Sequence, residues 1–136
     1  MDKKYDEFVN KKIKEHAKEK SITIALDFDG VIHSYEHGWT GEIPEDPPME
    51  GVEDFMKSLV DKGWLLKILS TRNAEHIETW LKFYKLDKYI KSIHNEKIPA
   101  KLYIDDRGYH FDGDFDKAEE FIDNFEDRYG KKKKGV

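Results

Sequence analysis

The sequence predicts an α/β domain built on a parallel sheet. Short aliphatic runs, Ile22 to Asp27, Trp64 to Leu69 and Leu102 to Ile104, alternate with longer stretches whose apolar residues recur at helical spacing. The first run is almost continuously apolar, the pattern of a strand buried on both faces. Strand–helix alternation of this kind implies right-handed crossovers and parallel pairing. A further regularity concerns function: the three runs end in Asp27-Phe28-Asp29, Ser70-Thr71 and Asp105-Asp106.

In chain order, residues 2–20 form an amphipathic helix with Tyr5, Phe8, Val9, Lys12, Ile13, His16 and Ala17 on one stripe. It is expected to pack on the domain as an N-terminal addition. The first strand spans 22–27. Residues 33–41 have no clean period, and Pro44, Pro47 and Pro48 forbid helix interior across 43–48. A connection this long at a strand mouth is functional or disordered, and its aromatics argue against disorder. His33, His37 and Trp39 either pack beneath it or serve the site.

A helix follows over 51–62, with Val52, Phe55, Met56, Leu59 and Val60 inward and Gly63 as its C-terminal cap. The second strand, 64–69, leads to a helix over about 74–85 with Ile77, Trp80, Leu81 and Tyr84 on one face. A third strand spans 89–93, a loop 95–99, and a fourth strand 102–104. The last helix is expected over 114–129, with Phe115, Ala118, Ile122, Phe125 and Tyr129 inward. Residues 131–136 read as a basic, disordered tail.

Composition bounds the rest. With 136 residues the chain suits one domain with a real core. It has no Cys, which excludes disulfides, zinc–thiolate sites and a thiol nucleophile. No apolar run reaches the length of a membrane span, and a cytoplasmic location is expected. The net charge of −5 is uneven, with basic ends and an acidic stretch over 111–128. That balance gives no footprint for stable nucleic-acid binding.

Asp27 and Asp29 sit where their charges repel each other and burial penalises both. A cation, or a substrate that brings one, at the strand mouth makes sense of the pair, since open α/β sheets bind ligands there. The alternative is an ordinary Asp-Gly turn.

The segment Asp27-Phe28-Asp29-Gly30-Val31 after a hydrophobic strand resembles the first motif of the haloacid dehalogenase superfamily. Ser70 fits its second motif, Lys97 or Lys101 the third, with Lys97 favoured, and Asp105-Asp106 the fourth. The resemblance covers about residues 22–110. It implies a three-layer Rossmann-like fold with strand order 3-2-1-4, so that the carboxyl ends of strands one, two and four converge. Residues 21–130 would be the catalytic domain and 33–50 a flap, since a cap domain cannot fit before Gly51. The Asp-Asp-Arg ending and lack of a cap resemble small bacterial and phage-type phosphatases, nucleotidase-like enzymes and the phosphatase half of polynucleotide kinase. One position departs: Val31 stands where the family usually has Thr.

The resemblance implies a Mg2+-dependent phosphatase. Asp27 would be the nucleophile and Asp29 the general acid and base. Lys97 would hold the nucleophile and the phosphate in line. Ser70, with Thr71, Arg72 and Gly30, would bind the phosphoryl group. Asp27, the backbone carbonyl of Asp29, Asp106 and Asp105 would hold the metal, with Asp106 preferred as the direct ligand. Arg107 is either a phosphate contact or a partner for an acid of the last helix. The substrate class is a nucleotide, another small phosphate ester or a nucleic-acid end. A receiver-like phospho-acceptor domain and a non-catalytic phosphate-binding module are the alternatives.

Overall fold

A computed structural model of the chain describes residues 2–127, 130 and 131. Helix α1 (Lys3–Ser21) precedes strand β1 (Thr23–Asp27). Helix α2 (Val52–Asp61) leads to β2 (Leu65–Leu69), and α3 (Ala74–Phe83) with a short 3-10 turn leads to β3 (Ile90–His94). Strand β4 (Leu102–Ile104) and helix α4 (Phe115–Asn124) follow. The four-stranded sheet runs β3-β2-β1-β4 with every pairing parallel, so the fold is a Rossmann-like three-layer α/β arrangement.

The core explains why β1 is central. Thr23 to Leu26 are all buried, and Leu26 joins Phe28, Ile32, Met56, Leu66, Ile68, Ile77 and Leu81 in one apolar cluster. Each such side chain contributes about 1.5–3 kcal/mol by leaving water. Helix α3 supplies Ile77, Trp80 and Leu81 at i, i+3 and i+4, and Asn73 caps it by accepting from the amide of Glu75 at 2.8 Å. Gly63 follows α2 with φ +95°, a conformation that a side chain would strain.

Residues 28–51 contain no helix or named strand, only isolated bridges from His33 to Asp29 and to Pro48. The flap is thus an irregular excursion, and no cap domain interrupts the fold there.

Three expectations are corrected. Helix α1 buries no residue: Tyr5, Phe8 and Ile13 are exposed, and its anchorage lies in its last turn. There Glu19 pairs with Lys67 Nζ at 2.8 Å, and its carbonyl accepts from Thr23 Oγ1. On α2, Phe55 and Val60 face solvent while Val52 and Met56 are buried. The last helix ends at Asn124, where residues 126–127 pair antiparallel with 130–131. Phe115 and Ile122 are 79% and 71% exposed instead of inward. In each case apolar periodicity marks a face without supplying the surface that would cover it. Lys131 belongs to that short pairing, whereas Tyr129 and the rest of the basic tail lie outside the described residues. Among the described residues, no helix is long and apolar enough to cross a membrane.

Candidate active site

The sheet order brings three chemical strand ends together. In register, Leu26 of β1 pairs with Ile68 of β2 on one side and with Ile104 of β4 on the other. The residues that follow are Asp27, Leu69-Ser70 and Asp105-Asp106. A cavity of about 430 Å³ opens at this mouth, lined by Asp27, Asp29, Ser70, Thr71, Asp105 and Asp106. Tyr35 and Trp39 reach it from the flap, and Asn95, Tyr103 and Arg107 complete the wall.

Asp27, Asp105 and Asp106 each offer a carboxylate oxygen, all within 4.8 Å of one another. Burial, reinforced by the charges of Asp105 and Asp106, pushes the Asp27 carboxyl up to about 7. The amide of Phe28, donating to Asp27 Oδ1 at 2.8 Å, opposes that rise only in part. Asp105 is oriented by the amide of Arg107, which donates to its Oδ1 at 2.7 Å. Three hard oxygen donors without nitrogen or sulfur fit a hard divalent cation of the Mg2+ type. The unfavourable charge on Asp27 is the kind of cost such an ion relieves.

Asp29 lines the cavity but belongs to a different network. Arg72 Nε donates to both of its oxygens at 2.9 Å, and His33 Nδ1 lies 2.8 Å from Oδ1. The amide of Asp46 donates to His33 Nε2 at 3.0 Å, which leaves the ring proton on Nδ1 for Asp29. Gly30, at φ +85°, turns the chain directly after Asp29, and its amide donates to the carbonyl of His33 at 2.9 Å. This turn returns the ring of His33 to the carboxylate four residues before it. His33 is almost fully buried between Phe28 and Trp80.

Asp46 organises the flap beneath this. Its carbonyl accepts from Trp80 Nε1, and its carboxylate accepts from the amide and ring of His37. These contacts hold the Asp46 carboxyl below its ordinary range and raise His37.

The remaining candidates separate. Ser70 is buried at the mouth, and its Oγ accepts from the amide of Arg72 at 3.2 Å, while Asn73 takes the helix cap. Thr71 is exposed on the cavity wall. Gly30, Arg72 and Lys97 are not among the residues lining the acidic cavity. Lys97 is exposed, with Nζ 4.9 Å from the centre of the ring of Tyr103, a residue of the cavity wall. Lys101 donates its amide to the carbonyl of Thr23, at the opposite end of the strands from the mouth.

For His33 the sequence left packing beneath the loop and service to the site open, and the structure shows both, a buried ring bonded to Asp29. Sequence reasoning passed over Asp46, which carried no local signal because its partners lie 9, 13 and 34 positions away.

No family model matches the chain, and no curated protein does. Among solved structures it is similar to a conserved protein coded by a locus of Bacteroides thetaiotaomicron. The likeness has a TM-score of 0.49 and 23% identity, covering 76% of this chain and 90% of that one.

Proposed function

We propose that the chain is a phosphomonoester hydrolase of the haloacid dehalogenase type, working through an aspartyl-phosphate on Asp27. The observation that carries this reading is the meeting of Asp27 with Asp105 and Asp106, within 4.8 Å, at a mouth that also holds Asp29, Ser70 and Thr71. A turn of surface acids has no reason to bring the ends of two neighbouring strands together beside the Ser70-Thr71 end of a third.

Asp27, Asp105 and Asp106 would hold Mg2+, with the backbone carbonyl of Asp29 added from the resemblance. Bound there, the ion supplies charge neutralisation between the acids and a phosphate dianion. A carboxylate oxygen of Asp27 attacks phosphorus in line, and the bond to the ester oxygen breaks. Asp29 gives a proton to that leaving oxygen. It then takes a proton from the water that attacks phosphorus, which breaks the acyl-phosphate bond, frees Asp27 and releases inorganic phosphate. In the structure both Asp29 oxygens accept from Arg72 Nε and Oδ1 also from His33, the arrangement suited to the base step. The acid step requires one of these contacts to open. Ser70 and the amides opening α3 bind phosphoryl oxygens. Lys97, once its loop moves it off Tyr103, adds positive charge between nucleophile and phosphate.

Substrates are phosphorylated small molecules such as nucleotides, or nucleic-acid ends, because among the described residues no cap domain interrupts residues 28–51 and the flap reaches the cavity only through Tyr35 and Trp39. The test is turnover of a chromogenic phosphate ester with Mg2+, followed by a panel from nucleoside monophosphates to 3′-phosphorylated oligonucleotides. Multiple turnovers support the reading. A single stoichiometric phosphorylation would favour a receiver-like domain, and binding without reaction a non-catalytic module.

A further inference from the structure

Arg72 is 2% exposed and does not itself line the acidic cavity, although it pairs with Asp29, which does. Nε donates to both oxygens of Asp29, while Nη1 donates to the flap carbonyls of Gly41 at 2.7 Å and Glu42 at 2.8 Å. The guanidinium carbon lies 4.4 Å from the ring centre of Trp39 and 5.9 Å from that of Tyr35. Nη2 is buried without a hydrogen-bond partner among the described residues. One side chain from the turn between β2 and α3 thus joins a strand-end acid, two flap carbonyls and two aromatic faces.

We propose that Arg72 is a positioning residue that latches the flap to Asp29, setting the acid's orientation and the flap's closure together. This rests on the proposed phosphatase reading for its kinetic part and on the geometry alone for the latch.

A planar guanidinium is suited to the task. Its fixed fork serves an acceptor on one edge and two on another while its face stacks on an indole. Asp46 anchors the base of the flap, but its outer part, residues 38–45, forms no regular structure, with Gly38 and Gly41 in the left-handed region, and there Arg72 holds the carbonyls of Gly41 and Glu42. Desolvating an arginine is costly unless it is paired. The carboxylate and the two carbonyls provide that pairing, so the flap and Asp29 are each required for the other's place. Trp39, 55% exposed at the cavity, is carried by the latch to a point where an incoming ester would meet it. An arginine that bound phosphate directly would instead present its free edge to the cavity.

The experiment compares the full chain with Arg72→Ala and Arg72→Lys. The first readout is cleavage after Glu42 by a glutamate-specific protease, relative to cleavage after Glu7 in α1. The latch predicts at least a tenfold rise in relative cleavage for Arg72→Ala and a smaller rise for Arg72→Lys, whose single ammonium cannot span both sets of acceptors. The second is steady-state kinetics on an alkyl phosphate. A misplaced acid costs about a hundredfold in kcat, with KM and inhibition by inorganic phosphate changed less than threefold, and added guanidinium recovers part of the Arg72→Ala loss. A KM and phosphate inhibition constant raised tenfold or more, with cleavage unchanged, would make Arg72 a phosphate ligand and overturn the proposal. Unchanged cleavage alone also overturns it, even if the chain turns over no ester. Should Arg72→Ala fail to melt cooperatively, the same readouts on Arg72→Lys decide the matter.

Discussion

Leu26 of β1 stands in register with Ile104 of β4, and the next residue on each strand is an aspartate. Parallel neighbours in register present their following residues at the same height, so Asp27 and Asp105 meet at one mouth, with Asp106 beside them. The acidic cluster is therefore a consequence of strand pairing, and every property assigned to it depends on the order β3-β2-β1-β4.

Asp27→Asn is expected to abolish turnover and to stabilise the metal-free protein near neutral pH. The folded Asp27 carboxyl is pushed from 3.8 to about 7, so the folded state binds its proton more tightly than the unfolded state. Stability from this group is complete below about 3.8 and declines as pH rises through about 7. Urea melts in a chelator at pH 5 and pH 8 should show wild type losing more stability than the variant. Equal losses would remove Asp27 from the crowded site.

Asp29→Asn should slow hydrolysis of an alkyl phosphate by about 100- to 10,000-fold, the usual worth of acid–base help. With an aryl leaving group, which needs no proton, the first step should suffer less and the phosphorylated enzyme should accumulate. A loss below about tenfold on the alkyl ester would reassign the acid–base role.

Much of this was legible in the sequence, and the boundary of legibility is physical. Strand β1 could be read because a run buried on both faces is almost continuously apolar, and β2 and β4 because their short apolar runs, like that of β1, stop where polar chemistry begins, although Leu102 and Tyr103 of β4 are exposed. The destinations of Phe115 and Ile122 could not, since a helix's periodicity names its apolar face but not a partner. Arg72 was legible as a residue near the site. Its engagement with Asp29, 43 positions earlier, and with the carbonyls of Gly41 and Glu42, depends on a flap path that has no period to read.

Mg2+ should raise the melting temperature of the wild type, since an ion bound only by the folded state adds about 2.7 kcal/mol at a hundredfold excess over Kd. Asp106→Ala should remove most of that increment and Asp105→Ala less, because Asp105 Oδ1 is already engaged by the amide of Arg107. An identical Mg2+ response in all three proteins would place both acids outside the metal site.

His37 and Asp46 make the flap's anchorage depend on pH. His37 is raised above 6.5, so its part is complete below 6.5 and is lost as pH rises through the raised value. Asp46 is lowered below 3.8, so its part is complete above 3.8 and is lost in stronger acid. The melting difference between wild type and His37→Gln should be greatest between about pH 4 and 6.5 and should shrink by pH 9. A difference that is constant across that range would mean the pair is not linked to the flap.

Covalent trapping tests the central claim most directly. The Asp29→Asn variant, mixed with an aryl phosphate and Mg2+ and quenched with borohydride, should carry its aspartyl-phosphate as a reduced residue at position 27. Peptide mass spectrometry locates it. Homoserine at position 27, absent when Mg2+ or the ester is omitted, is the predicted result. Ester turnover with no reduced residue, or with reduction at position 105 or 106, would contradict Asp27 as the nucleophile.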